Sequence, residues 1–160
     1  MKPVMLAADG SPTAEKATDA AIELADLLGT ELVIVSVWDV AYGATRFGTI
    51  SVSSEMAKLG EAEAAKVTAG AAARAEEVGV ETRSLVRRGF PVEAICRAAE
   101  KYDPRFLVIG SHGWGAMKRA LFGSVSTGVL HRATCPVLVV RGEPAGSEVP
   151  EGPTREKVHA

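Results

Sequence analysis

The sequence is short of the features that build disulfide scaffolds, metal centres and membrane spans. It has two cysteines, Cys96 and Cys135, far apart and with neither a Cys-x-x-Cys spacing nor a nearby His pair. That excludes a disulfide framework and a zinc site, and the expectation is two buried apolar thiols. No stretch approaches the roughly 18 consecutive apolar residues of a membrane-spanning helix. Neither sign of charge dominates: 18 basic and 20 acidic side chains leave a net charge of −2, so no global field draws the protein to nucleic acid or to an anionic membrane. The opening Met1-Lys2-Pro3 is followed by a short apolar run interrupted at Asp9, too short for a signal sequence, and a cytoplasmic protein is expected.

What is present suits one folded unit. The chain has 160 residues, 47% hydrophobic and 24% charged, at roughly 100–200 residues per domain. Two hydrophobic periods alternate along it, the mark of strands and helices taken in turn. Residues 4–8 form a nearly continuous apolar run, as in a strand buried on both faces. Ser11 is placed to cap the following helix and Pro12 suits its first turn. Ala14, Ala17, Thr18, Ala21, Ala25 and Leu28 then share a face, and Gly29 closes the helix.

A second strand is expected over 32–37, then a long loop over 38–53 and a long helix over 54–78 despite Gly60 and Gly70. Residues 81–87 alternate polar and apolar, a third strand with one exposed face. Pro91 opens a helix with a stripe of Val92, Ile95, Cys96 and Ala99, stopped by Asp103-Pro104. A fourth strand over 106–109, a glycine-spaced loop over 110–123, a helix from Ser124 to about residue 133 and a fifth strand from Pro136 to Val140 complete the pattern. Beyond Arg141, three Gly, three Pro and four Glu fall among nineteen residues, the composition of a disordered tail over 142–160.

Strands separated mostly by helices, with connections long enough for crossovers, predict a doubly wound α/β domain over 1–141 with a mainly parallel sheet. Ligands of such sheets bind beyond the carboxyl ends of the strands, where strand order reverses. That directs attention to Asp9, to the loop after Val37 and to the loop after Ile109. There the sequence reads Gly110-Ser111-His112-Gly113, then nine residues, then Gly123-Ser124. Glycines allow the backbone to converge on an anion. At a helix start, the amides of Ser124, Val125 and Ser126 and the positive end of the helix dipole face a phosphate, with the Ser124 and Ser126 hydroxyls as added donors. The other reading of Gly110 and Gly123 is plain strand and helix punctuation.

With Gly110, Gly113, Gly123 and Ser124 matching G-x2-G-x9-G-[ST], and with Asp9-Gly10-Ser11 and Cys135-Pro136-Val137 around it, the sequence resembles the ATP-binding branch of the universal stress protein family over residues 2–141. The resemblance implies a five-stranded sheet of order 3-2-1-4-5, commonly dimeric, with ATP between the first and fourth strands. By position, Gly110, Ser111, His112, Gly113, Gly123, Ser124, Val125 and Ser126 would hold ribose and phosphates. Ala7 would lie beside them and Val37 would meet adenine through its backbone. Asp9 would serve the ribose or a phosphate-bound Mg²⁺, a cation that favours oxygen ligands; a turn-forming role before Gly10 is the alternative.

Other residues carry less. Lys118 and Arg119 read as solvated surface charges, Trp114 and Phe122 as packing under the loop, and His112 as a loop histidine with no catalytic role. Gly110 and Gly115 have Walker-A spacing, but Ala116-Met117 stands where Lys and Ser/Thr are needed. Gly113-Trp114-Gly115 lacks the third glycine of the dinucleotide fingerprint. After the first strand stands Ala7-Ala8-Asp9-Gly10-Ser11, not the Ser-Gly-Gly loop of ATP pyrophosphatases. The expectation is therefore a nucleotide-dependent stress or regulatory protein that acts through ATP occupancy and hydrolyses it slowly if at all. Three alternatives stand beside it: an ATP-cleaving enzyme or adenylyl transferase on the same fold, a cyclic-AMP or AMP binder, and an adaptor with an empty cleft. In the implied strand order, Glu81, Arg83 and Arg87 guard one edge, while Pro136 to Val140 leaves the other apolar and open to a second copy, giving a homodimer.

Overall fold

Val4, Met5 and Leu6 have no exposed surface and Ala7 is 6% exposed, because their strand, Val4–Ala7 (β1), lies at the centre of a sheet covered on both faces. The computed structural model describes residues 1–38, 54–112 and 123–142. Around β1 the chain forms helix Pro12–Leu28 (α1), strand Leu32–Trp38 (β2), helix Ser54–Glu77 (α2), strand Thr82–Arg88 (β3), helix Pro91–Tyr102 (α3), strand Phe106–Gly110 (β4), helix Ser124–Arg132 (α4) and strand Val137–Val140 (β5). The sheet is parallel throughout, in the order β3-β2-β1-β4-β5. Strand order reverses between β1 and β4.

The period of two splits the core into halves. On one face Val4, Leu6, Leu32, Ile34 and Val108 meet Ala17, Ala21 and Ala25 of α1 and Ala71 and Ala75 of α2. On the other, Met5, Ala7, Val33, Val35, Leu107 and Ile109 meet Ile95, Cys96 and Ala99 of α3 and Val129 of α4. Each fully buried large aliphatic contributes about 1.5–3 kcal/mol. Helix ends follow local chemistry. The Ser11 hydroxyl accepts from the Ala14 amide at 3.3 Å, and Gly29 closes α1 in the left-handed region at φ 60°. Asp103 adopts the same conformation, φ 43°, at the end of α3.

Several boundaries move by a residue. Trp38 belongs to β2 and not to the loop, because it pairs in register with Arg88, which extends β3 to 82–88. The Gly89 amide then closes on the Trp38 carbonyl at 3.1 Å. Neither face of β3 is wholly exposed: Leu85 is buried and the strand forms a sheet edge. On α1, Ile22 is buried while Leu28 is half-exposed to solvent at the helix end. Cys96 is buried, but Cys135, just before β5, is only half-buried. Burial pushes both thiols above their ordinary value of 9.0, which keeps them protonated and poorly nucleophilic at neutral pH. The expected loop over 39–53, the stretch 113–122 and the expected tail over 143–160 lie outside the described residues.

The two glycines inside α2 are not equivalent. A Cβ on Gly60 would stand 3.0 Å from Cε3 of the Trp38 indole, whereas Gly70 has nothing within 4 Å. Gly70→Ala is expected to raise the unfolding free energy by about 0.5–1 kcal/mol, and Gly60→Ala to lose that gain to the indole contact. Urea unfolding of the two variants checks this; equal gains would show that Trp38 does not press on the helix.

Candidate functional site

Two chain reversals meet at the carboxyl end of β1 and β4. After β1, the Asp9 carboxylate accepts the Ser11 amide at 2.9 Å through Oδ1, and Gly10 turns with φ 75°. This is the turn chemistry of an Asp two residues before its amide partner, and Asp9 itself is exposed. Ser11 is buried; besides capping α1, its hydroxyl lies 3.5 Å from the His112 carbonyl, across the switch point. Gly110, the last residue of β4, lets the first turn of α1 come down on the strand: a Cβ there would be 3.1 Å from the Thr13 backbone.

Ser111 is the joint of the site. Its amide donates to the Val140 carbonyl of β5 at 2.8 Å. Its own carbonyl accepts from the Gly123 amide at 2.6 Å and from the buried Ser126 hydroxyl at 2.9 Å. Its hydroxyl lies 3.0 Å from His112 Nδ1. The N-terminus of α4 is thus tied to the end of β4 by two hydrogen bonds to one carbonyl. Gly128 completes the placement from the far side, since a Cβ there would meet Val92 of α3 at 2.7 Å.

What α4 presents follows from helix geometry. Its first internal bond runs from the Thr127 amide to the Gly123 carbonyl, so the amides of Ser124, Val125 and Ser126 have no acceptor within the helix. Gly123 contributes no capping side chain, and no acidic residue stands in the first turn, so the positive end of the helix dipole is not offset by the helix's own side chains. Ser124 is exposed, Val125 half-buried and Ser126 buried.

The expected residues Ala7, Asp9, Gly110, Ser111, His112, Gly123, Ser124, Val125 and Ser126 therefore gather at one end of two adjacent strands. Val37 lies at the same end of β2, next to β1. Gly113, Trp114, Lys118, Arg119 and Phe122 fall outside the described residues. Ser126 departs from expectation: the residue is 2% exposed and its hydroxyl is directed at the carbonyls of Ser111 and Gly123, which makes it a strut and not an outward donor. The amides of Ser111 and Gly123 are likewise used internally. Residue spacing carried no signal for Ser111 as a hub, because its bonds are mostly main-chain.

An open depression of about 470 Å³ at the opposite end of the sheet is lined by Glu31, Glu76 and Glu81 with Thr82, and Glu31 there is paired with Arg83. No group of three or more His, Cys, Asp or Glu that could hold a metal ion occurs among the described residues. No helix among them is long and apolar enough to cross a membrane.

The model of the universal stress protein family matches residues 1–141. The chain belongs to that family. It is 33% identical over 144 residues to the universal stress protein YxiE of Bacillus subtilis, covering 86% of this chain and 97% of that one. It is 37% identical over 139 residues to a universal stress protein of Mycolicibacterium smegmatis, covering 87% of this chain but 45% of that protein, so some relatives are about twice as long. A solved family member from Burkholderia pseudomallei superposes with a TM-score of 0.70 at 31% identity, covering 90% and 96% of the two chains. More distant members share the fold and were solved with nucleotides. One is in complex with cAMP (24% identity, 88% and 96% covered, TM-score 0.66). One from Archaeoglobus fulgidus holds dAMP (24%, 88% and 98%, 0.65), and one from Arabidopsis thaliana holds AMP (19%, 88% and 92%, 0.63).

Ser126→Ala tests the strut. Removing a buried donor and leaving the Ser111 carbonyl with one partner is expected to cost about 1 kcal/mol in urea unfolding, with the helix and sheet content unchanged by circular dichroism. A cost below the error of the measurement would show that the Gly123 amide alone holds α4.

Proposed function

We propose that this chain binds an adenine nucleotide, ATP with Mg²⁺, and acts through occupancy of that site as a nucleotide-dependent regulatory factor in the cytoplasm. The observation that carries the reading is the trio of amides at Ser124, Val125 and Ser126, without an acceptor in their helix, whose start is held by Ser111 at the point where strand order reverses. Amides at a helix start bind phosphate through hydrogen bonds and the helix dipole together. The AMP, dAMP and cAMP held by distant family members support an adenine nucleotide.

In this reading the phosphates lie on the α4 amides beside Gly110, Ser111 and His112, and the base runs past Ala7 to the Val37 backbone. The described residues offer no three-carboxylate cage, and Mg²⁺ needs none: it is commonly held by one or two carboxylates plus the phosphates of its substrate. Asp9, exposed just after β1, is the carboxylate suited to it. The metal would neutralise phosphate charge there. Turnover needs a base or water-orienting group beside the terminal phosphate, and this reading assigns that role to no residue.

Isothermal titration with ATP, cAMP and GTP, with and without Mg²⁺, is the test. Gly123→Leu is the informative variant, because even its Cβ would meet only ordinary contacts, the nearest at 3.4 Å from the Ser111 carbonyl oxygen, while the larger side chain covers the amides. ATP affinity is expected to fall at least tenfold with the melting temperature little changed. No binding of any of the three by the native protein would overturn the reading. Sustained phosphate or pyrophosphate release that Gly123→Leu abolishes would replace it with that of an ATP-cleaving enzyme.

A homodimer through β5 belongs to the same proposal. The strand is a sheet edge, its residues are only partly covered, and Leu138 is 42% exposed. An apolar edge strand with unpaired main-chain groups is a template for a second copy. Sedimentation at micromolar concentration is expected to give a dimer, and Leu138→Lys a monomer. A monomeric native protein would remove the dimer.

A further inference from the structure

Resting on the nucleotide reading above, we propose that Arg87 is a specificity-determining residue of the same site. In this proposal its guanidinium, with Phe90, forms the wall against which a purine base stacks. From a phosphate on the α4 amides, the carboxyl edge of the sheet runs over β4, β1, β2 and β3 on one side but only to β5 on the other. Between β4 and β3 lie three strand spacings, roughly 14 Å, a span suited to an extended nucleoside triphosphate. Its base is then carried toward the ends of β2 and β3.

The residues at that end are suited to a base. Arg87 pairs in register with Val37, and the alternation of β2 and β3 puts both on the same face as Val35 and Leu85, the face of α3 and α4. Arg87 is half-buried, and its Nη1 donates to the Val86 carbonyl at 3.0 Å, so the planar head is held near the strand. Among the described residues it forms no ion pair, whereas Arg74, Arg83 and Arg97 are paired with Glu15 and Asp19, with Glu31 and with Glu93. Phe90, three residues on, is 64% exposed as the N-cap of α3. The Gly89 amide bonded to the Trp38 carbonyl pins this turn to the end of β2. A half-buried guanidinium, an exposed aromatic ring and an aliphatic neighbour are groups on which bases stack.

The test uses the full chain, Arg87→Met and Arg87→Lys, titrated with ATP and with inorganic tripolyphosphate, which has phosphates but no base. Met keeps the apolar stem and Lys keeps the charge, and neither keeps the plane. ATP affinity is expected to fall roughly three- to thirtyfold in both variants, with tripolyphosphate affinity and melting temperature unchanged. ATP affinity equal to that of the native protein overturns the proposal. So does an equal loss for ATP and tripolyphosphate, which would make Arg87 a distant phosphate charge. If the native protein binds tripolyphosphate but not ATP, the base subsite fails while the anion site stands. If it binds neither, the nucleotide reading itself falls.

Discussion

A single carbonyl governs the geometry of the crevice. The Ser111 oxygen takes both the Gly123 amide and the Ser126 hydroxyl, and the amide of the same residue reaches Val140 on β5. Buried polar groups must find partners, and by satisfying one another here they fasten β4, β5 and α4 at one point. The groups left over are the first amides of α4, which have no acceptor in the helix.

That joint depends on a core built largely from small residues. Ala17, Ala21, Ala25, Ala71 and Ala75 face the sheet on one side and Ala98 and Ala99 on the other. Small side chains let helices ride close to the strands, and close packing penalises any added volume. Glycines are used in the same way: Gly110 admits the first turn of α1, Gly128 admits Val92, and Gly60 admits Trp38. Of the two readings of Gly110, the structure bears on the punctuation: it ends a strand, and its missing Cβ lets α1 approach.

Much of this was legible in the residues themselves. The unbroken run from Val4 to Ala7 announced a strand buried on both faces, and Ser11, Pro12, Gly29 and Asp103-Pro104 marked helix ends by their own chemistry. Strand order was not legible from periodicity; it came with the family resemblance. The misplaced boundary at Trp38 has a tertiary cause, since the indole is kept in the sheet by pairing with Arg88 and by the glycine of a helix more than twenty residues away. At the site, glycine spacing located the amides but could not tell an outward hydroxyl from an inward one. Ser124 and Ser126 differ only in which side of the first turn they occupy, and that is set by where Ser111 stands.

The small net charge is the sum of local clusters. Glu31, Glu76 and Glu81 crowd the amino end of β2 and β3, while Arg87, Arg88 and Arg141, none of them in an ion pair among the described residues, follow or end strands at the carboxyl side. Arg88 is spent on the Trp38 ring, 5.3 Å from its centroid, and the Asp9 carboxylate at that end is partly engaged by the Ser11 amide. Cations stand at the amino end as well, where Arg83 pairs with Glu31 and Lys2 with Asp103, so side-chain charge does not by itself distinguish the two ends. The dipole of α4 acts only over its first turn, and any preference for an anion at this end therefore falls to the main-chain amides of that turn.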